Sequence, residues 1–189
     1  ELECARHGIK VENYHTDNGI FSSNDLQVEL ENNKQHISFS GTGAKHMNGA
    51  AERSIQTVVN SARAMLIHAS THWPDETSTD LWPFAMTYAA WIHNHTPSTD
   101  HHLSPIEIFT STRINCEYLR RARVFGCPSY VLDPRLQDGH KIPKWNVRAR
   151  LSQFLGFSPK HSSTVGIVRN IDTGYCSTQF HVVYDQTFS

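Results

Sequence analysis

Apolar and polar positions alternate through Ile9-Lys10-Val11-Glu12-Asn13-Tyr14, which predicts a short strand, and again through His36-Ile37-Ser38-Phe39-Ser40. Between them, Leu26, Val28 and Leu30 follow Ser22-Ser23-Asn24 and predict a helix stopped near Asn32-Asn33. Glu1 to Gly8 reads as the tail of a helix closed by glycine at the position after its C-cap. A glycine-containing connection, Gly41 to Met47, leads into the longest periodic stretch. Ile55, Val58, Val59, Ala62, Met65, Leu66 and Ala69 recur there at the spacings of one buried helix face. A second helix is predicted from Asp80-Leu81-Trp82-Pro83, with Leu81, Phe84, Ala85, Tyr88, Ile92 and His95 inward and Thr96-Pro97 as its end. Leu103 to Phe109 is a short capped helix with Pro105 at its first position.

From Leu119 the pattern turns to strands. Residues 123–132, 153–157, 164–168 and 179–184 each read as one, and Asp172-Thr173-Gly174 as a hairpin turn. The chain of 189 residues is therefore α/β, long enough for one domain and a smaller second one.

Composition narrows the class. Apolar residues are 38% and charged residues 19%, an ordinary globular balance. No apolar run approaches membrane-spanning length and no signal-peptide pattern opens the chain, so no membrane is expected and an intracellular protein is the default. Cys4, Cys116, Cys127 and Cys176 form no C-x-x-C, which argues against a zinc ribbon or a disulfide scaffold. His93 and His95, two apart on a predicted helix, face different ways and read as surface or satisfied histidines. The net charge of −1 conceals an asymmetry: residues 1–112 carry six Lys/Arg against thirteen Asp/Glu, whereas 113–150 carry nine against three. That basic segment is a footprint for phosphate contacts. Its Arg120, Arg121, Arg123, Arg135, Lys141, Lys144, Arg148 and Arg150 are read without aromatic interleaving, so backbone contact is expected over base reading.

The candidate chemistry lies in two short motifs. Asp17, in His15-Thr16-Asp17-Asn18-Gly19, follows the first strand. Glu52, in Asn48-Gly49-Ala50-Ala51-Glu52-Arg53, opens the long helix, with Asn48 as a candidate N-cap. A carboxylate ending a strand and another opening the helix packed beside it can converge on one magnesium or manganese ion. Thirty-four residues separate the two.

These motifs resemble the second and third acidic positions of copia-type retrotransposon integrases. The resemblance covers essentially the whole chain. Asn94-His95-Thr96-Pro97 is similar to a family signature that has Arg at the position of His95, and Met47 stands where the family has Gln. Phe125-Gly126-Cys127, Phe154-Leu155-Gly156-Phe157 and Val182-Val183-Tyr184-Asp185 resemble the module that follows such cores in the Pol polyprotein.

The resemblance implies a truncated ribonuclease H-like integrase core over 1–115, followed by a small SH3-like β-barrel over 119–189. The first catalytic Asp of the family would lie upstream of Glu1, so this fragment alone is expected to be inactive. Asp17 and Glu52 are implied as catalytic residues and ligands of Mg2+ (or Mn2+), two ions in the intact enzyme. DNA contacts are implied for Lys45, Asn48, Gln56, Asn60, Arg63, Arg148 and Arg150. The implied reactions are 3′-end processing and strand transfer, with element ends and target DNA as partners and a homo-oligomer as the intact assembly. The implied setting is a cytoplasmic particle and then the nucleus. A catalytically inactive nucleic-acid-binding remnant is the alternative. A DNA transposase or nuclease of ribonuclease H-like fold is a third reading, which the SH3-like module argues against.

Overall fold

The computed structural model describes residues 2–17, 19–41, 48–100, 102–114 and 116–189. Contacts divide the chain into two compact units, Glu1–Thr57 and Val58–Ser189.

In the first unit, α1 (Leu2–Arg6) closes on Gly8 at φ +69°. The Gly8 N–H donates to the Ala5 carbonyl and the Ile9 N–H to the Cys4 carbonyl, as the predicted glycine cap requires. Strand β1 is Asn13–Thr16, not the Ile9–Tyr14 run that alternation suggests. Its extent is set by its partner. Strand β2 (His36–Phe39) pairs with it in parallel, from Asn13 opposite His36 to Thr16 opposite Phe39, and Ile9 to Val11 precede that register. A parallel pair needs a crossover connection, which a 3-10 turn (Ile20–Ser22) and α2 (Asn24–Asn32) supply. Leu30 of α2 is buried over the strands. A hollow of about 350 Å³ remains there, lined by Tyr14, Thr16, Phe21, Leu26, Leu30 and Ile37 among others.

Helix α3 spans Gly49–His72. Its apolar stripe is not buried along its whole length, contrary to the periodicity. Ile55 is 63% and Val59 42% exposed, whereas Ala62 and Ala69 are buried. The core of the second unit takes in α3 from Val58 onward, and Ile55 has no place in it.

That core gathers around Tyr88. Helix α4 (Trp82–His95) follows a 3-10 turn, Thr79–Leu81, whose Ser78 side chain accepts from the Asp80 N–H. Two short helices come next, α5 (Pro105–Thr110) and α6 (Glu117–Arg120). Helix α5 is held by a capping box between Ser104 and Glu107. Glu107 is buried and also accepts from the Ile114 N–H at 2.8 Å, which fixes the chain leaving the helix.

Five strands follow: β3 (Pro128–Leu132), β4 (Ala149–Phe157), β5 (Gly166–Asn170), β6 (Cys176–Gln179) and β7 (Val182–Tyr184). They form one antiparallel sheet in the order β6-β5-β4-β3-β7. A one-turn helix, α7 (Pro134–Gln137), interrupts the path from β3 to β4 and has no counterpart in the apolar pattern. Capping by Asp133 and Pro134 at its first position account for it.

Helix α4 packs on β4. The Tyr88 ring meets Phe154 edge-on at 5.4 Å and stacks near Trp91 at 5.7 Å. Its hydroxyl donates to the Arg123 carbonyl and accepts from the Arg123 N–H, at 2.7 and 2.9 Å. Gln153, fully buried, is satisfied by Thr77 at 3.0 Å and Arg169 at 3.4 Å, and Arg169 also donates to the Glu76 carbonyl. The segment before α4 is thereby tied to the sheet.

Burial pushes the Tyr88 hydroxyl from 10.0 up to about 12 and the Cys127 thiol from 9.0 up to about 12. Both stay protonated in the folded chain at pH values where the unfolded chain ionises. Their contribution to stability is thus complete below about pH 9 and is lost as pH rises toward 12. Urea midpoints are expected to fall across that window, and Tyr88→Phe to flatten the fall above about pH 10. Midpoints that hold steady from 9 to 12 in the wild-type chain would contradict this burial.

Candidate functional site

Asp17 leaves the end of β1 exposed to solvent. Glu52 lies in the first turn of α3, also exposed. One residue ties the two elements together. The Ser40 N–H donates to the Thr16 carbonyl at 2.8 Å, extending the β1–β2 ladder by one bond. The Ser40 hydroxyl reaches the Asn48 Oδ1 at 3.0 Å. Ser40 is buried, so this bond is shielded from competing water. Asp17 is the residue after Thr16 and Glu52 lies one helical turn past Asn48. The bridge therefore joins the end of the strand carrying one carboxylate to the start of the helix carrying the other.

His15 braces the same corner. Its Nδ1 is 2.9 Å from the Ser38 hydroxyl, which itself donates to the Tyr14 carbonyl, so the imidazole N–H donates to Ser38. Its Nε2 is 3.3 Å from the Ser40 hydroxyl. Asn48 directly precedes α3, the place expected of an N-cap, and there its Oδ1 serves the Ser40 bridge.

The surroundings of Asp17 leave room at its carboxylate. Thr16 Oγ1 is 3.5 Å from Asp17 Oδ1. A Cβ on Gly19 would come within 3.3 Å of the same oxygen, so glycine keeps that side open. Among the described residues neither Asp17 nor Glu52 is held in an ion pair. Two solvent-facing carboxylates with no cationic partner among the described residues are hard oxygen donors of the kind that suits Mg2+, with water completing the shell. Among the described residues no group of three or more His, Cys, Asp or Glu is placed to hold a metal ion.

Gln56, Asn60 and Arg63 follow Glu52 at helical spacing, and all are exposed. Lys45 lies outside the described residues. The Arg148 side chain is exposed with no partner among the described residues, its carbonyl accepting from the Asp133 N–H, and Arg150, half-buried, is the second residue of β4, opposite Val131. Other members of the basic segment are spent on the fold. Arg135 forms a two-point contact with Asp133, at 3.1 and 2.9 Å, and holds that carboxyl below its usual range. Arg121 pairs with Glu117 at 2.7 Å, and the Arg123 guanidinium lies 5.5 Å from the centre of the Tyr184 ring.

The expectation that no aromatic residue interleaves with these charges is corrected. Trp145 sits between Lys144 and Arg148 and is 90% exposed, with the Lys144 Nζ 5.4 Å from its ring centre. The sequence held the signal, a tryptophan flanked by Lys144 and Arg148 with no apolar periodicity around it.

No protein-family model matches the chain. Among solved structures, it is similar to a chain in the cryoEM structure of the simian T-cell lymphotropic virus intasome in complex with PP2A regulatory subunit B56 gamma. The TM-score is 0.43 and the identity 16%, over 94% of this chain. The present chain spans 57% of that chain's length. Among the described residues no helix is long and apolar enough to cross a membrane.

Proposed function

We propose that this chain is the DNA-handling part of a copia-type retroelement integrase. On this reading residues 1–115 belong to a ribonuclease H-like core and 119–189 to an SH3-like barrel. The observation that carries the proposal is the Ser40 bridge, which links the strand end bearing Asp17 to the helix start bearing Glu52.

Asp17 and Glu52 would hold the divalent cation, Mg2+ or Mn2+. When bound, two such ions activate a water or a 3′-hydroxyl and neutralise charge on the phosphodiester. The contribution of the chain itself is placement. Ser40, Asn48 and His15 fix the two carriers, and Gly19 keeps the Asp17 carboxylate accessible. Gln56, Asn60 and Arg63 line the helix beyond Glu52 as contacts for the DNA ends. Arg148 and Arg150 add backbone contacts without base readout. Element ends, target DNA and further copies of the chain are the proposed partners, and the nucleus is the proposed site of integration.

A second reading, a nucleic-acid-binding remnant without catalysis, is favoured by one observation. The basic segment and Trp145 offer a binding surface that uses neither Asp17 nor Glu52.

Paramagnetic Mn2+ distinguishes the two. Added to the isotopically labelled chain, it is expected to broaden the amide resonances near Asp17, Ser40 and Glu52 together. Asp17→Asn or Glu52→Gln should each abolish the effect at both places. Broadening centred elsewhere, or surviving at one carboxylate when the other is removed, would refute a shared cation site.

A further inference from the structure

Trp145 stands out among the large apolar side chains. At 90% exposure it gains almost nothing from the core, and its neighbour Val147 is 80% exposed. Tryptophan so far out of the core forgoes the burial that ordinarily stabilises it. The ring borders a cavity of about 570 Å³, whose wall includes Asp133, Pro134, Asn146, Val147 and Arg150. That volume is in the range of small-ligand sites, roughly 300–1,000 Å³.

The polar groups of the cavity indicate the occupant. The Arg150 Nε is buried and has no hydrogen-bond partner among the described residues. Arg150 itself lines the cavity, so its guanidinium is the cationic group the cavity offers an anion. Asp133 does not repel an anion here, because Arg135 neutralises it with two hydrogen bonds. Lys144, with its Nζ 5.4 Å from the ring centre, adds a positive charge beside Trp145. An aromatic face, a guanidinium lining the cavity and a nearby ammonium together match a flat π-system joined to an anion.

We infer that Trp145 and Arg150 form a pocket for an unpaired nucleotide, with the base stacked on the indole and the phosphate accepting from the Arg150 guanidinium. The inference rests on the reading that the basic segment binds nucleic acid, and it names the form bound. Duplex bases are stacked on one another and offer no free face, whereas single strands do. A stretch of single-stranded DNA is accordingly the ligand this pocket selects.

The test uses the whole chain with a labelled twelve-nucleotide oligo-dT and a blunt duplex of equal length, followed by anisotropy at low salt. The wild-type chain is expected to bind both and to show tryptophan quenching with oligo-dT. Trp145→Ala should weaken oligo-dT binding about ten-fold, remove the quenching, and leave duplex affinity unchanged. Trp145→Phe, which keeps a smaller stacking face, should retain most of the single-strand affinity. Equal affinity of wild type and Trp145→Ala for oligo-dT would overturn the pocket while leaving duplex binding intact. Equal losses on both ligands would overturn it too, since Trp145 would then serve the backbone contact. A wild-type chain that binds neither ligand overturns the nucleic-acid reading itself, and the pocket with it.

Discussion

Strand transfer by an integrase that contains this chain is expected to fall by on the order of 10²–10³-fold or more when Glu52 becomes Gln, and likewise when Asp17 becomes Asn. Each change removes a negative charge and leaves the shape of the side chain almost intact. Both side chains are exposed, and neither holds an ion pair among the described residues. Stability should therefore move by less than about 0.5 kcal/mol, as for surface substitutions elsewhere. A large activity loss with an unchanged melting curve is what separates a ligand from a structural carboxylate. The pair should also be non-additive. Once one carboxylate is gone the site no longer works, so Asp17→Asn/Glu52→Gln should be about as inactive as either single variant. Single variants that keep near wild-type strand transfer, or a double variant whose loss is the product of the two, would sink the assignment. Ser40→Ala gives a graded counterpart. It breaks the link to Asn48 while leaving both carboxylates in place, so its activity should lie between wild type and the carboxylate variants.

Gly126→Ala is expected to remove a large part of the folding free energy of the second unit. Two terms combine. At φ +78° an L-residue is strained, by roughly 1–2 kcal/mol. A Cβ at this position would also run into the Ala69 Cβ of α3, in a core already closed by Phe125 and Cys127. Overpacking of that kind costs about 1–3 kcal/mol more. The sum, about 2–5 kcal/mol, is a substantial share of a typical domain stability of about 5–15 kcal/mol. Gly139→Ala is the matched control. Its φ is +80° and nothing lies within 4 Å of the added carbon, so only the backbone term applies. Urea melts of the two variants should differ by the overpacking term alone. Gly126→Ala should also be partly rescued by Ala69→Gly, which reopens the space. Equal effects at Gly126 and Gly139, or no rescue, would show that α3 does not press on this turn.

Local signals in the sequence determined a good deal. Gly8 closing α1, Pro83 in the first turn of α4 and the Ser104–Glu107 capping box are short-range hydrogen-bond and backbone preferences, legible because their partners lie within one turn. The helical period marked α3, and the strands read over 123–132 and 153–157 overlap β3 and β4, the first reading starting five residues too early and the second four too late. Asp17 beyond a strand and Glu52 at a helix start could likewise be read from pattern alone.

Tertiary structure decided the rest. That β1 keeps only Asn13 and Tyr14 of the first alternating run and goes on through His15 and Thr16 depends on β2, more than twenty positions away, because pairing rather than alternation delimits a parallel strand. Which part of the α3 stripe is buried depends on where the Tyr88 core reaches it, so Ile55 is left exposed while Ala62 and Ala69 are covered. Periodicity gives a face its polarity but cannot say what covers it. The Ser40 link to Asn48 and the pairing of Arg135 with Asp133 were equally hidden. Only the folded chain separates charges spent on structure from those, such as Arg148, left facing solvent, and only it opens a cavity beside Trp145.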